Sequence, residues 1–375
     1  MMSRFSPPPY PHKPAPRPAP RSAVFRRSRL VYIAFAAAFL YVLLTGHSPL
    51  SLLPHRAPKH DPSMRYKHVD WSHYAYFQYA TSSAYLCNSV MIFEALHRLG
   101  SKADRILMYP EKWDTQIESQ SDRDSQLLVK ARDWYNVRLV PVDIPVTHDK
   151  DEQDGRQAAS FTKFAAWNTQ RYQRVLYLAS DVTLLKTLDE LFFLPSTPVA
   201  MMREHWSLPD KKVMTPRLIL LEPSDDEFER LSTSIRDDIR QDDDDDTAIL
   251  NRFYGDTALV LPHQAYGLLS SEFRAEDHKR YIGNTFDLWD PENALRVASV
   301  VHFIDEPFPK PWIMWPHALL AEQHPKCKAE DCRNKDAWMA LYDNFRRRRK
   351  DICALLSATA PAWPLRNDSK MSLPA

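Results

Sequence analysis

Apolar and polar positions follow one another along this chain in two rhythms, and the switches between them predict most of its elements. Residues 74–80 are almost wholly apolar or aromatic, the pattern of a buried strand. Residues 83–99 then carry Tyr85, Val90, Phe93, Leu96 and Leu99 on one helical face, with Gly100 as the stop. The exchange repeats as a strand over 105–109, a helix over 125–135, a strand over 137–142, a helix over 163–172 and a buried strand over 175–178. Further strands are predicted at 198–201, 218–221 and 298–304, and further helices at 225–239 and 247–253. Strands alternating with helices imply an α/β domain, a mostly parallel twisted sheet flanked by helices. No internal repeat interrupts the pattern.

The amino terminus has a different character. Residues 1–29 are rich in Pro and hold seven Lys or Arg but no Asp or Glu, which suits a cytosolic tail. Residues 30–45 follow, uncharged, as a single transmembrane helix. The apolar core 30–44 would span about 22 Å of a ~30 Å hydrocarbon layer, and Arg26, Arg27 and Arg29 before it keep the amino terminus cytosolic. So short a span suits the thinner membranes of the early secretory pathway. The expectation is a single-pass type II Golgi membrane protein with a signal anchor and a lumenal catalytic domain. Residues 46–70, broken by Pro49, Pro54, Pro58 and Pro62, read as a stem. Residues 71–320 form the enzyme domain and 321–375 a helical extension and tail. Within that extension the run Arg346 to Lys350 reads as a solvated helix face.

Composition narrows the partners. The 375 residues are 44% hydrophobic and 26% charged, with a net charge of +1, so no field favours nucleic acid. Six glycines leave no Gly-rich phosphate loop, and a nucleotide must be held otherwise. Cys327 and Cys332 are close enough to close a small loop, which would leave Cys87 for Cys353, although spacing does not fix the connectivity.

Four places offer the side chains that transfer of an activated sugar needs. Breaking an anomeric C–O bond passes through an oxocarbenium-like state and leaves a diphosphate. That leaving group calls for cations, either a divalent metal on carboxylate and imidazole or a lysine. Asp181, after Ser180, ends the strand 175–178, where ligands of open α/β sheets bind, although an Asp there also caps turns. His302 sits in the apolar run 298–304, a setting that also suits a core histidine, and Lys310 stands between Pro309 and Pro311. Asp246 closes the acid run that begins at Asp242 and opens a helix, where the helix dipole alone would favour it. Lys163 lies in Ser-Phe-Thr-Lys-Phe.

In this order and with these flanks, the four places resemble the glycogenin-like family 8 of retaining glycosyltransferases, over roughly residues 71–315. The opening YFQYATSSAYLCNSVMIFEALHRLGS is similar to that family's first strand and helix, which implies Tyr79, Thr81, Ser82 and Tyr85 as donor-binding residues. FTKFAAWNTQRYQRVLYLASDVTLL resembles its F-T-K segment and D-x-D strand, so Lys163, Ser180 and Asp181 would meet the donor. DTAILNRFYG resembles D-Q-x-x-L-N and implies Asp246 beside the donor sugar. HFIDEPFPKPW resembles H-F-x-G-x-x-K-P-W, making His302 a metal ligand together with Asp181, and Lys310 a diphosphate contact. Asp305 and the added prolines are most similar to the fungal Golgi α-N-acetylglucosaminyltransferase branch. The resemblance implies a GT-A-like fold and Mn²⁺ (or Mg²⁺). It also implies a UDP-sugar donor, plausibly UDP-GlcNAc, a glycan acceptor, and a catalytic set of Asp246, Lys163 and Lys310.

Three positions depart from the family pattern. The first motif Asp is Ala179, N-S-G reads Thr215-Pro216-Arg217, and the Gln after the third-block Asp is Thr247. Loss of the first carboxylate predicts weaker metal affinity. Ala179 leaves a second reading, a lumenal glycan-binding relative with impaired catalysis, and because no residue is identified against the sugar's C2 and C4 substituents a UDP-glucose or UDP-galactose transferase is a third.

Overall fold

A computed structural model describes residues 66–119, 121–142, 162–239, 245–306, 308–314, 324–327, 330–354 and 358–359. The basic tail, the anchor 30–45, most of the stem, Asp242 and the carboxyl tail lie outside these residues. No helix among the described residues is long and apolar enough to cross a membrane. The chain divides after Val69, and the elements described below all belong to the unit from Asp70 onward.

The central sheet holds β1 (Tyr74–Tyr79), β2 (Asp104–Pro110), β3 (Val137–Val142), β4 (Arg174–Leu178), β6 (Val199–Arg203), β7 (Met214–Leu221) and β8 (Leu259–Leu261). Their order is β3-β2-β1-β4-β7-β6-β8. The first four run parallel, β7 lies antiparallel between β4 and β6, and β8 is parallel to β6. Alternation along the strands feeds two cores. Tyr76, Leu176 and Leu178 face one, with Leu86, Phe93 and Trp338, while Ala75, Phe77, Val175 and Tyr177 face the other, with Trp167 and Ile249. Burial on both faces explains why β4 reads as a continuous apolar run.

Helices α1 (Ser83–Arg98) and α2 (Arg123–Tyr135) contribute to the first core, and α3 (Asp225–Ile239) and α4 (Asp246–Tyr254) to the second. Gly100, at φ +81°, ends α1 as its spacing predicts. A second sheet, of which the sequence pattern reveals only the strand predicted at 298–304, joins β5 (Val182–Leu184), β10 (Val300–His302) and β9 (Leu268–Leu269). Its strands are only two or three residues long, too short for a period to show.

Two expectations need correction. The helix predicted over 163–172 is a single 3₁₀ helix, Thr162–Trp167. Beyond it Thr169 Oγ1 donates to the Ala166 carbonyl at 2.6 Å, and local bonds of this kind compete with helix propagation. The run Arg346 to Lys350 lies on a helix (α5, Pro291–Val297, precedes it; this one is α6, Arg333–Cys353) and is solvated only at Arg347 and Lys350, while Arg346, Arg348 and Arg349 turn inward. Arg349 is buried and donates to Asn88 Oδ1 at 2.7 Å and to the Ala84 carbonyl at 3.2 Å. Arg348 pairs with Glu94 at 2.5 Å, and Arg346 donates to the Pro311 carbonyl at 3.0 Å. These guanidinium groups fasten α6 to α1 and to the loop before it.

Cys87 and Cys353 are joined in a disulfide, as are Cys327 and Cys332. The first bridge closes a separation of 266 residues. On the chain-entropy account a loop of that length restricts the unfolded chain by roughly 5 kcal/mol. Cys353→Ser is expected to lower unfolding free energy by roughly 2–5 kcal/mol, read as a shifted urea midpoint. An unchanged midpoint would show that the bridge carries no stability.

Candidate active site

The site lies at the carboxyl ends of β1 and β4, and short strand pairing assembles it. Asp181 follows the tip of β4 and precedes β5, whose Val182 pairs with His302 of β10. The Phe303 amide donates to the Asp181 carbonyl at 2.9 Å. The chain then turns so that Lys310 Nζ reaches back to Asp181 Oδ2 at 2.6 Å and to the Phe303 carbonyl at 2.6 Å. Residues 129 positions apart therefore meet in one ion pair. Burial pushes the Asp181 carboxyl pKa up, but Lys310 and then Arg217 outweigh it and hold the group below its ordinary value. Asp181 is an anion bound to a cation, and no turn-capping bond is needed to account for it.

His302 is fully buried. Its Nε2 donates to the Tyr266 carbonyl at 2.9 Å, which leaves Nδ1 as the lone-pair nitrogen. That Nδ1 is buried without a hydrogen-bond partner. Burial lowers the imidazole pKa to about 4, so the ring is neutral, the state a metal ligand requires. Asp181 and His302 thus offer donor types a divalent ion takes, a carboxylate and a neutral imidazole nitrogen. Among the described residues no third His, Cys, Asp or Glu completes a cluster, and Ala179 stands where the family pattern supplies one. Hard cations at phosphate sites often take few protein ligands and several waters, which suits this donor set.

A second pair faces the same strand ends. Lys163, buried in the 3₁₀ helix, contacts the Asp246 carboxylate, and its Nζ lies 5.6 Å from the Tyr177 ring centre. Burial, and then the charge of Arg217, lowers the Lys163 pKa, while Asp245 and Asp181 oppose the fall. Asp246 is the first residue of α4, whose amino end Asp245 caps by accepting from the Ala248 amide at 2.8 Å. Asn251 locks α4 to β7, accepting from the Met214 amide at 2.7 Å and donating to its carbonyl at 2.8 Å. The final Asn of DTAILN therefore fixes the helix that Asp246 opens.

Tyr79 stacks on Tyr177 at 5.9 Å, and burial pushes its hydroxyl pKa up to about 12, so it stays a neutral donor. Thr81 and Ser82 lie between β1 and α1, and the Ser82 hydroxyl makes no capping bond. Tyr85 is 43% exposed and meets the edge of Trp312, two residues beyond Lys310. Ser180 is half-buried at the strand tip.

Sequence reasoning passed over Arg217 and Tyr177. Arg217 lies in a β-bulge of β7, where the register against β6 jumps from Met201↔Ile219 to Met202↔Thr215. The signal available was Pro216 just ahead of the apolar run 218–221, since proline within a sheet is confined to edges and bulges.

No family model matches the chain. It is 47% identical over 303 residues to "Glucose N-acetyltransferase 1" of Aspergillus fumigatus, covering 77% of this chain and 79% of the relative. The protein of the same name from Gibberella zeae is 45% identical over 301 residues, covering 79% and 66%. The chain belongs to the glucose N-acetyltransferase 1 family. It is a glycosyltransferase of the hexosyl- or N-acetylglucosaminyltransferase kind, as the resemblance implied. Among solved structures, the bifunctional glycosyltransferase WbbM aligns with a TM-score of 0.46 and 12% identity over 76% of this chain and 50% of its own, a likeness too distant to carry weight.

Proposed function

We propose that this glycosyltransferase moves N-acetylglucosamine from UDP-GlcNAc to a sugar of a glycan acceptor, with retention of configuration, in the Golgi lumen behind a single anchor at 30–45. The observation that carries the reading is the convergence of Asp181–Lys310 and Lys163–Asp246, from four separate segments, on one set of strand ends. A divalent ion bound by Asp181 and His302 would neutralise phosphate charge as UDP departs.

The chain's own groups do the rest. Lys310 has three N–H donors and commits two of them, to Asp181 and Phe303, which leaves one for a diphosphate oxygen. Tyr79 and Tyr177 give the base an aromatic wall, and the hydroxyls of Thr81 and Ser82 face the ribose. Asp246, held by Lys163, orients the sugar and offsets positive charge at the anomeric carbon as the bond breaks. A cavity of about 660 Å³ opens beside it, lined by Glu204, Lys212, Asp245, Thr247, Asn251 and Asp256. The apolar Val213 and Ala248 share its walls with these polar groups, which suits the ring face and the hydroxyls of an acceptor sugar.

The deciding assay gives the full chain UDP-GlcNAc, UDP-glucose and UDP-galactose with sugar acceptors, with Mn²⁺ or with EDTA. Transfer from UDP-GlcNAc that Asp181→Ala abolishes is the expected result. Preference for another donor would overturn the assignment of the sugar. Ala179 favours a second reading, that of a catalytically impaired relative. It predicts no turnover in the native chain and recovery in Ala179→Asp.

A further inference from the structure

Arg217 is out of place for a core strand, and the bulge explains how it is accommodated. Between Met201 and Met202 the partner strand carries extra residues, and such an irregularity re-aims a side chain next to a site. The backbone ties it to the altered motif, because the Ala179 amide donates to the Arg217 carbonyl at 2.8 Å. The guanidinium carbon lies 5.7 Å from the Trp206 ring centre, and the neighbouring His205 is anchored by Glu272 at 2.8 Å. The Arg217 Nε is buried without a hydrogen-bond partner.

The charges around it are unbalanced. Asp181 is its strongest electrostatic partner, followed by Glu204, Tyr177 and Glu306, yet Asp181 is already matched by Lys310. Among the described residues no carboxylate closes an ion pair with Arg217. A divalent ion between two carboxylates, beside the same lysine, leaves a single positive charge. At the strand tip itself Asp181, Lys310 and Arg217 leave the same charge with no metal at all, and Glu204 and Glu306 act on Arg217 more weakly than Asp181 does. The chain has therefore lost a carboxylate at Ala179 and gained a cation across one backbone hydrogen bond from it.

We propose that Arg217 is a second diphosphate-binding cation, which takes over from a metal part of the neutralisation of the donor's phosphates. The inference rests on the nucleotide-sugar reading above and adds to it that donor binding is only weakly dependent on divalent cation. A guanidinium suits this role, since its planar fork matches phosphate oxygens in pairs.

The test is calorimetric binding of UDP to the full chain, with EDTA and with Mn²⁺. The native chain is expected to bind UDP in EDTA with an affinity within about tenfold of that in Mn²⁺, each tenfold being 1.4 kcal/mol. Arg217→Ala is expected to weaken binding in EDTA by at least about tenfold, and Arg217→Lys to keep part of it as a point charge. Thermal unfolding of both variants separates loss of the cation from loss of the fold, and Arg217→Lys decides if Arg217→Ala is unfolded. Binding in EDTA that either folded variant leaves unchanged overturns the proposal alone. Native binding that appears only with Mn²⁺ also overturns it and leaves the transferase reading standing. No binding of UDP under either condition overturns both.

Discussion

Lys310→Ala is expected to reduce turnover by roughly 10²–10³-fold, the usual cost of deleting one preorganised donor at developing negative charge. Lys310 is held in place before any donor arrives, by Asp181 and by the Phe303 carbonyl, both at 2.6 Å. Pro309 and Pro311 restrict the backbone on either side. The ordering entropy of a long side chain is therefore met largely in folding rather than in the transition state. Stability is expected to respond far less. The Lys310 end of the pair is 39% exposed and screened by water, while Asp181 is 16% exposed and keeps only the charge of Arg217 when Lys310 is removed. The cost is therefore expected between the exposed and buried limits, at about 1–2 kcal/mol. Lys310→Arg should recover little, because a planar fork on a longer stem cannot reproduce two tetrahedral donors to these acceptors. Steady-state kinetics beside a urea titration checks both halves. An unchanged kcat would remove Lys310 from the chemistry. A fall in kcat matched by a large midpoint shift would mean a structural role.

Sequence made parts of this molecule legible for reasons that can be named. The strands β1 to β4 are apolar or alternating runs and the helices α1, α2 and α4 carry helical periods, with a sharp stop at Gly100 bounding the first helix. Asp181 was visible because an apolar strand ended on a carboxylate, and Lys310 because two prolines framed it. The hidden parts share one property, which is that their meaning lies in a partner remote in the chain. The pairing of Val182 with His302 joins two three-residue strands, and nothing local announces it. Arg217 stood out in the sequence only as a departure from N-S-G and was given no role, since only the bulge directs it to the strand tips. The arginines of α6 were misjudged because a charge run is normally solvated. Here the run sits where α1 presents the Ala84 and Met91 carbonyls and Glu94 to it.

Asp305 belongs to this hidden class, and it carries the largest expected effect on stability. The family pattern has Gly at this position, and the sequence alone suggests no role for an added carboxylate. The structure buries it to 3% exposure and surrounds it with donors. Arg274 Nη1 reaches Oδ1 at 2.8 Å and the Asp305 carbonyl at 3.0 Å. The Trp338 indole N–H donates to Oδ2, which the Tyr342 hydroxyl also meets at 3.3 Å. One carboxylate thereby joins the Lys310 loop to α6 and to the segment after β9. Asp305→Ala strands a half-buried guanidinium and two buried aromatic donors together, and removing one partner of a buried pair costs roughly 3–5 kcal/mol. Asp305→Asn is expected to recover little of this. Its single carbonyl oxygen can face Arg274 or Trp338 but not both, and its amide then opposes the other donor. Because the same carboxylate steadies the turn that carries Lys310, the KM for donor is expected to rise before kcat falls. Urea unfolding of the two variants, with donor kinetics well below their midpoints, separates these effects. If Asp305→Ala unfolds within about 1 kcal/mol of the native chain, the network is ornamental and Lys310 must be positioned by its prolines alone.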